Sequence, residues 1–308
     1  MKKIAIIRLD AFGDAILTSG FTRACREYWP AAEITMICSE KTHAFWQRCP
    51  FVNRVVAVAI RTSRDWAPPK IDDFFDLVLN PRPAPDYFGA EQVAAALQTS
   101  KHVAFSNDNF PLGEPAWRSP FRLLRSLDYT GPEHLPSLWY PDSYRHDHAA
   151  KYIAIGLGAG RPYKIWAPMN FAAVATALNR PTILIGGRDV NKAATEYKLN
   201  SSIECMDLTG RTSIWDTAAV LTKCALFIGN DSAPKHIAAA TGTPVVEVSW
   251  INCDDSRLDF DRGFEPVGVP FKVVKAPRKF TIEETLNGEA VASVTVESVI
   301  DAAKALIE

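Results

Sequence analysis

Between Leu226 and Val248 the chain reads LFIGNDSAPKHIAAATGTPVVEV: an apolar strand, a tight polar turn, an alanine-rich helix and, after Gly242, a second apolar run at Val245, Val246 and Val248. A strand that passes through a helix into another strand is the unit from which parallel sheets are built, since a short hairpin can only return antiparallel. The turn in the middle is suited to an anion. The first N–H groups of a helix have no intrahelical partners, and the helix dipole adds positive potential there. Asp231 and Ser232 are N-cap residue types, Pro234 suits a first helical turn, and Gly242 closes the helix. Two readings stand at this point. Asp231 and Ser232 only cap the helix with His236 packed beside it, or the turn holds a phosphate.

The rest of the chain repeats the alternation. Strands are expected near 3–8, 33–38, 54–58, 76–79 and 102–105, then near 152–157, 182–185, 204–208, 225–229, 244–248 and 271–274. Helices are expected near 14–28, 41–48 and 90–98, then near 168–179, 190–198, 213–222 and 233–241. The class is α/β. A chain of 308 residues exceeds the size at which one core stops growing, which points to two domains of roughly 150 residues each. The join is expected within Gly131 to His148, where prolines and polar residues interrupt the periodicity. This gives an amino-terminal domain over 1–145, a carboxyl-terminal domain over 146–290, and a terminal amphipathic helix over 291–308 that packs on a neighbouring domain.

With 47% hydrophobic and 22% charged residues the chain is neither disordered nor fibrous. A formal net charge of −1 gives no global attraction to nucleic acid, so an anionic ligand needs a local cluster of basic groups. The start MKKIAIIRLD has its apolar run broken at Arg8, far short of a membrane span, and a cytoplasmic location is expected. Cys25, Cys38, Cys49, Cys205, Cys224 and Cys253 form no CxxC pair and lie mostly in apolar segments, as expected of reduced, buried thiols.

Other turns carry chemistry-bearing residues. After the first strand, Gly13 permits a tight turn and Asp14 falls at a helix start, either as a cap or as a general base. After strand 152–157, Gly158 and Gly160 let backbone approach a ligand and Arg161 and Lys164 bring cationic donors for a diphosphate, or the loop is a flexible solvent-exposed turn with ordinary surface charges; the glycine spacing is one short of the dinucleotide pattern. Asp189 can accept from a ribose or sugar hydroxyl or cap the following helix, and Ser213 with Asp216 resembles a capping box. A helical stretch from Trp117 to Tyr129 places Arg118, Arg122 and Arg125 on one face, a landing site for an anionic acceptor or a solvated surface. Asp259 and Asp261 have DxD spacing but lie far from the phosphate turns, and His146 and His148 lack companion ligands; no metal and no cofactor are expected.

Together, IRLDAFGDAILTSGFTRACREYWPAAEITMICSE, GLGAGRPYKIWAPMNFAAVATAL, ILIGG and DLTGRTSIWDTAAVLTKCALFIGNDSAPKHIAAATGTPVV resemble glycosyltransferase family 9, the ADP-heptose:lipopolysaccharide heptosyltransferase-like proteins. The resemblance implies a GT-B architecture, two Rossmann-like doubly wound domains facing a central cleft, with the acceptor on the amino-terminal side near Gly13 and the three arginines. It implies an inverting, metal-independent transferase in which Asp14 matches the catalytic base and Lys164 the lysine that neutralises the donor diphosphate. Asp231, Ser232, Ala233 and His236 fall on the family's D-[ST]-G-x-x-H signature. Two positions depart: Asp10 stands where serine is more common, and Ala233 where the signature has glycine, a strain if that position needs positive φ. The expected partners are a sugar nucleotide, ADP-heptose foremost, and a glycan or glycolipid acceptor such as lipopolysaccharide core, with peripheral contact at the cytoplasmic face of the inner membrane and no nucleic acid. The alternatives are a relative using another sugar nucleotide or acceptor, and a non-catalytic nucleotide- or glycan-binding scaffold. A single-domain phosphohydrolase is disfavoured, since no DxDx[TV] motif follows any strand.

Overall fold

The structure, a computed structural model, describes residues 1–60, 67–68, 70–82, 88–105, 114–140, 151–253 and 263–307. Asp259, Asp261, His146, His148, the 145/146 boundary and parts of the Arg61 to Pro85 stretch lie outside the described residues. The chain divides into two compact units, one from Met1 to Trp139 joined by Gly263 and Phe264, the other comprising the chain from Tyr140 apart from that insertion.

In the first unit β1 (Lys3–Arg8), α1 (Phe12–Tyr28), β2 (Glu33–Ser39), α2 (His43–Trp46), β3 (Arg54–Val58), β4 (Phe74–Phe75), β5 (Leu77–Asn80), α3 (Ala90–Ala96), β6 (Gln98–Thr99), β7 (His102–Ala104) and α4 (Phe121–Arg125) follow in order. β1, KIAIIR, is buried from Ile4 onward, the continuous apolar run of a strand covered on both faces. It sits at the centre of an all-parallel sheet ordered β3-β2-β1-β5-β7, pairing with β2 from Lys3 opposite Glu33 to Arg8 opposite Cys38. The order reverses between β1 and β5. In doubly wound sheets a crevice opens there, at the carboxyl ends of the strands.

The second unit runs β8 (Tyr152–Gly156), α5 (Pro168–Leu178), β9 (Thr182–Ile185), α6 (Asn191–Asn200), β10 (Cys205–Asp207), α7 (Ile214–Leu221), β11 (Cys224–Asn230), α8 (Ala233–Ala240), β12 (Val245–Val248), β13 (Phe271–Val274), α9 (Ile282–Leu286), α10 (Glu289–Ala292) and α11 (Val296–Ile307). Its parallel sheet is ordered β10-β9-β8-β11-β12-β13, the Rossmann order, with the reversal between β8 and β11. α8 ends as expected: Gly242 takes φ 85°, a left-handed conformation that a side chain would oppose. The capping box at α7 is also present, with Ser213 and Asp216 exchanging backbone and side-chain hydrogen bonds.

Several elements differ from expectation. α11 buries Val299 and Ala303 in the core of the second unit itself, with Ile300 and Leu306 packed beside them, so its apolar stripe is satisfied by α5 and β13 of its own unit. The stretch from Trp117 to Tyr129 is helical only over Phe121–Arg125: Pro120, which has no N–H to donate, stands at its N-cap, and Asp128 takes φ 66° just past its end. The short β4–β6 pair and helices α9 and α10 were not anticipated, being too short to carry a period. All six cysteines are free, and burial pushes the thiols of Cys38, Cys49 and Cys224 up to about 12. No helix among the described residues is long and apolar enough to cross a membrane.

Candidate functional site

At the reversal point of the second sheet, the loop after β8 and the turn after β11 are tied by Asn230. This fully buried last residue of β11 donates from Nδ2 to the Leu157 carbonyl at 2.8 Å and accepts at Oδ1 from the Trp166 backbone N–H at 3.0 Å. The tie fixes the chain on either side of Lys164, whose ammonium lies 2.9 Å from Asp231 Oδ2 and 4.5 Å from the ring centroid of Trp250. The Trp250 indole N–H donates to the same Asp231 oxygen at 3.0 Å, while Lys235 takes Oδ1. Lys235 is fully buried and also reaches Glu247 Oε2 at 2.8 Å, so a chain of alternating charges runs under the start of α8.

Neither Asp231 nor Ser232 caps α8 through its side chain. Ser232 occupies the N-cap position, yet its hydroxyl donates to the Asn230 carbonyl at 3.2 Å, and Asp231 is committed to the two lysines and Trp250. The opening of α8 is therefore not closed by a side chain, which is the condition for an anion to bind there. Ala233 lies in the first helical turn, and the only non-glycine residues with positive φ among those described are Asp128 and Asn179, so the alanine is unstrained. Burial alone would raise the Asp231 pKa, but Lys235 and Lys164 hold it well below the usual carboxylate range. Burial and the Lys235 charge push His236 down from 6.5 to about 3, which leaves a neutral imidazole at the helix start.

That shift has a consequence for stability. Between pH 6.5 and about 3 the unfolded chain binds a proton at His236 that the native protein refuses, so stability falls as the pH falls. Wild type taken from pH 7 to 5 is expected to lose about 2 kcal/mol more than His236→Asn, measured by urea unfolding. Equal losses in both proteins would contradict a neutral buried His236.

The glycines of the preceding loop divide into two kinds. A Cβ on Gly158 would meet Val190 Cγ1 at 2.6 Å, so its glycine is required by packing. A Cβ on Gly160 would meet nothing within 4 Å, which leaves open space over the backbone beside the exposed Arg161. Asp189 is exposed in a single 3₁₀ turn, Arg188–Val190, and does not cap α6, whose N-cap position is Val190.

The first unit has a matching cluster at its own reversal point. Asp14 is in the opening turn of α1, whose N-cap is Ala11, so it is not a cap, and Gly13 is helical beside it rather than forming the turn. Arg8, the last residue of β1, places NH2 3.0 Å from Asp14 Oδ1 and Nε 3.1 Å from Asp10 Oδ2. Arg82, just past β5, pairs with the other oxygen of Asp10. The Asp14 side chain keeps 23% of its surface exposed and that of Asp10 only 1%, so Asp14 is the carboxylate a reactant can reach. Burial and the neighbouring Asp10 raise the Asp14 pKa against the pull of Arg8 and Arg82. In the sequence Arg8 shows only as a break in an apolar run. A charged residue closing a fully buried strand was the overlooked signal, because such a group requires a partner.

The three arginines are already paired. Arg118 meets Glu133 at 2.5 Å, Arg122 meets Glu114 at 3.1 Å, and Arg125 also meets Glu133. Among the described residues no group of three or more His, Cys, Asp or Glu is placed to hold a metal ion.

Residues 115–248 match the family model described as glycosyltransferase family 9 (heptosyltransferase). Lipopolysaccharide heptosyltransferase 3 of Escherichia coli is 24% identical over 278 residues, covering 77% of this chain and 80% of that protein. The crystal structure of the glycosyl transferase family 9 from Veillonella parvula superposes with a TM-score of 0.78 at 19% identity, over 99% of this chain and 97% of that one. The E. coli heptosyltransferase WaaC with ADP-2-deoxy-2-fluoro heptose gives 0.70 at 15% identity, over 99% of both chains. The two doubly wound parallel sheets, together with the likeness to these solved structures, give the chain a GT-B fold. Over residues 115–248 and in its fold the chain resembles glycosyltransferase family 9.

Proposed function

We propose that this glycosyltransferase moves heptose from ADP-heptose to a lipopolysaccharide-core glycan by single-step, inverting, metal-independent transfer. The observation that carries the reading is Lys164, held 2.9 Å from Asp231 beside the uncapped start of α8. A nucleoside diphosphate there would meet an ammonium, the exposed Arg161 and helix N–H groups, a set of donors able to compensate its charge without a divalent ion. Gly160 gives it room, Gly158 shapes the loop, and Ser232, Ala233 and His236 present hydroxyl, backbone and neutral imidazole to the phosphates. Asp189 takes a ribose or sugar hydroxyl. Support for the donor comes from the WaaC complex with an ADP-heptose analogue, and support for the acceptor from the name of the E. coli relative.

In the proposed reaction the Asp14 carboxylate removes the proton of an acceptor hydroxyl. The freed oxygen attacks the anomeric carbon, the bond from that carbon to the diphosphate breaks, and ADP departs with its new charge met by Lys164 and the start of α8. The first unit takes the acceptor, with Gly13 beside the base and Arg118, Arg122 and Arg125 exchanging glutamate partners for acceptor anions. The protein works in the cytoplasm, in peripheral contact with the membrane that carries its acceptor.

Thermal stabilisation compared across ADP-, GDP-, UDP- and TDP-sugars tests the donor, since a bound ligand raises apparent stability according to its affinity. ADP release in the presence of ADP-heptose and core acceptor tests the transfer; binding without release would mark a scaffold. Lys164→Ala is expected to weaken ADP binding about tenfold to a hundredfold in calorimetry, the loss of a charged hydrogen bond. Unchanged affinity would contradict the role of Lys164.

A further inference from the structure

We propose that Asp10 is a positioning residue that keeps Asp14 basic by competing with it for the neighbouring arginines, an inference that rests on the reading of Asp14 as the base. The geometry is a shared fork. Arg8 divides its guanidinium between Asp10 and Asp14, at 3.1 and 3.0 Å, and Arg82 pairs with Asp10. Asp10 is buried, and its carboxylate is bracketed by both cations. The charged groups facing Asp14 are thus Arg8 from β1, Asp10 from the loop after it and Arg82 from the loop after β5.

Were Asp10 neutral, Arg8 and Arg82 would each lose it as an ion-pair partner. Arg8 could then turn its full fork onto Asp14, in the paired geometry that binds carboxylates most strongly. A carboxylate clamped in that way is a weak base, because an opposite charge within about 4–6 Å lowers a carboxyl pKa by about 1–3 units. Asp10 competes for these cations and adds its own negative charge, so it reinforces the rise in the Asp14 pKa that burial begins. A serine at this position could not do so, having no charge to compete with. In this chain the strength of the base is set one turn of backbone away from the base itself.

The test needs no substrate. In protein labelled with ¹³C at aspartate carboxyls, the Asp14 resonance is assigned by its loss in Asp14→Asn and titrated in wild type, Asp10→Asn and Arg82→Gln. Asp10→Asn is expected to lower the Asp14 midpoint by about one unit or more. Arg82→Gln removes one cation and is expected to raise it. Should one variant fail to fold, the other still decides the matter, because their expected shifts have opposite signs. An unmoved midpoint in every variant that folds overturns the role of Asp10. ADP release with ADP-heptose separates the two failures: an active Asp14→Asn sinks the base reading, whereas an inactive Asp14→Asn with unmoved midpoints sinks only this inference.

Discussion

Asp14→Asn is expected to lower turnover by about 10²–10⁴-fold while leaving affinity for ADP unchanged. Asparagine has the shape of aspartate and its amide oxygen can still accept from Arg8, so the local fold has no cause to rearrange. What it cannot do is take a proton. Of the two carboxylates beside Arg8, Asp10 is enclosed, so its loss would act through Arg8 and not by direct proton transfer. Asp14 combines partial exposure with a pKa raised by burial and by Asp10, and a stronger base transfers protons with more driving force in the transition state. The measurement is ADP release under saturating donor, alongside calorimetry with ADP alone. Wild-type turnover in the variant would remove Asp14 from the mechanism.

The second large effect is on folding. Lys235→Met is expected to destabilise the protein by about 3–5 kcal/mol, because it leaves Glu247 buried without its cation. Asp231 would lose one partner but retain Lys164 and Trp250. The double variant Lys235→Met with Glu247→Leu should recover most of the loss, since replacing both members of a buried pair by apolar groups removes the unmet charge. Urea unfolding of the two variants decides it. A neutral single variant would mean that Glu247 is satisfied elsewhere, and a double variant no better than the single would place the cost in packing.

These two residues also show where sequence reading stopped. Local grammar placed the strands well: β1, β3, β9 and β13 begin and end where β-branched runs meet turn residues, and Gly242 ended α8 as its backbone required. The same grammar proposed caps at Asp14 and Asp231, since aspartate at a helix start is most often one. Both side chains instead reach residues from other strands or loops, and those choices are made by tertiary packing. Lys235 and Glu247 meet from α8 and β12, a pairing no local period contains. The trace it left was the glutamate in VVEV, a charge inside a strand buried along its whole length. Arg82 was passed over for a similar reason, because the prolines around it suggested an irregular loop and hid its place beside β1. The helix through Trp117 to Tyr129 failed on Pro120, where charge spacing was weighed above a missing backbone donor.

Both reversal points hold the same formal balance: Arg8 and Arg82 against Asp10 and Asp14, Lys164 and Lys235 against Asp231 and Glu247. Each quartet sums to zero, so at distances beyond a Debye length of about 8–10 Å these groups project almost no field. An anion is not drawn toward them from solution. In the proposed donor site an anion would be recognised on arrival, by cations already held in position, and any carboxylate it displaced would be left to the partners that stay behind. Selectivity in such a site belongs to geometry at contact, and the encounter rate owes little to charge.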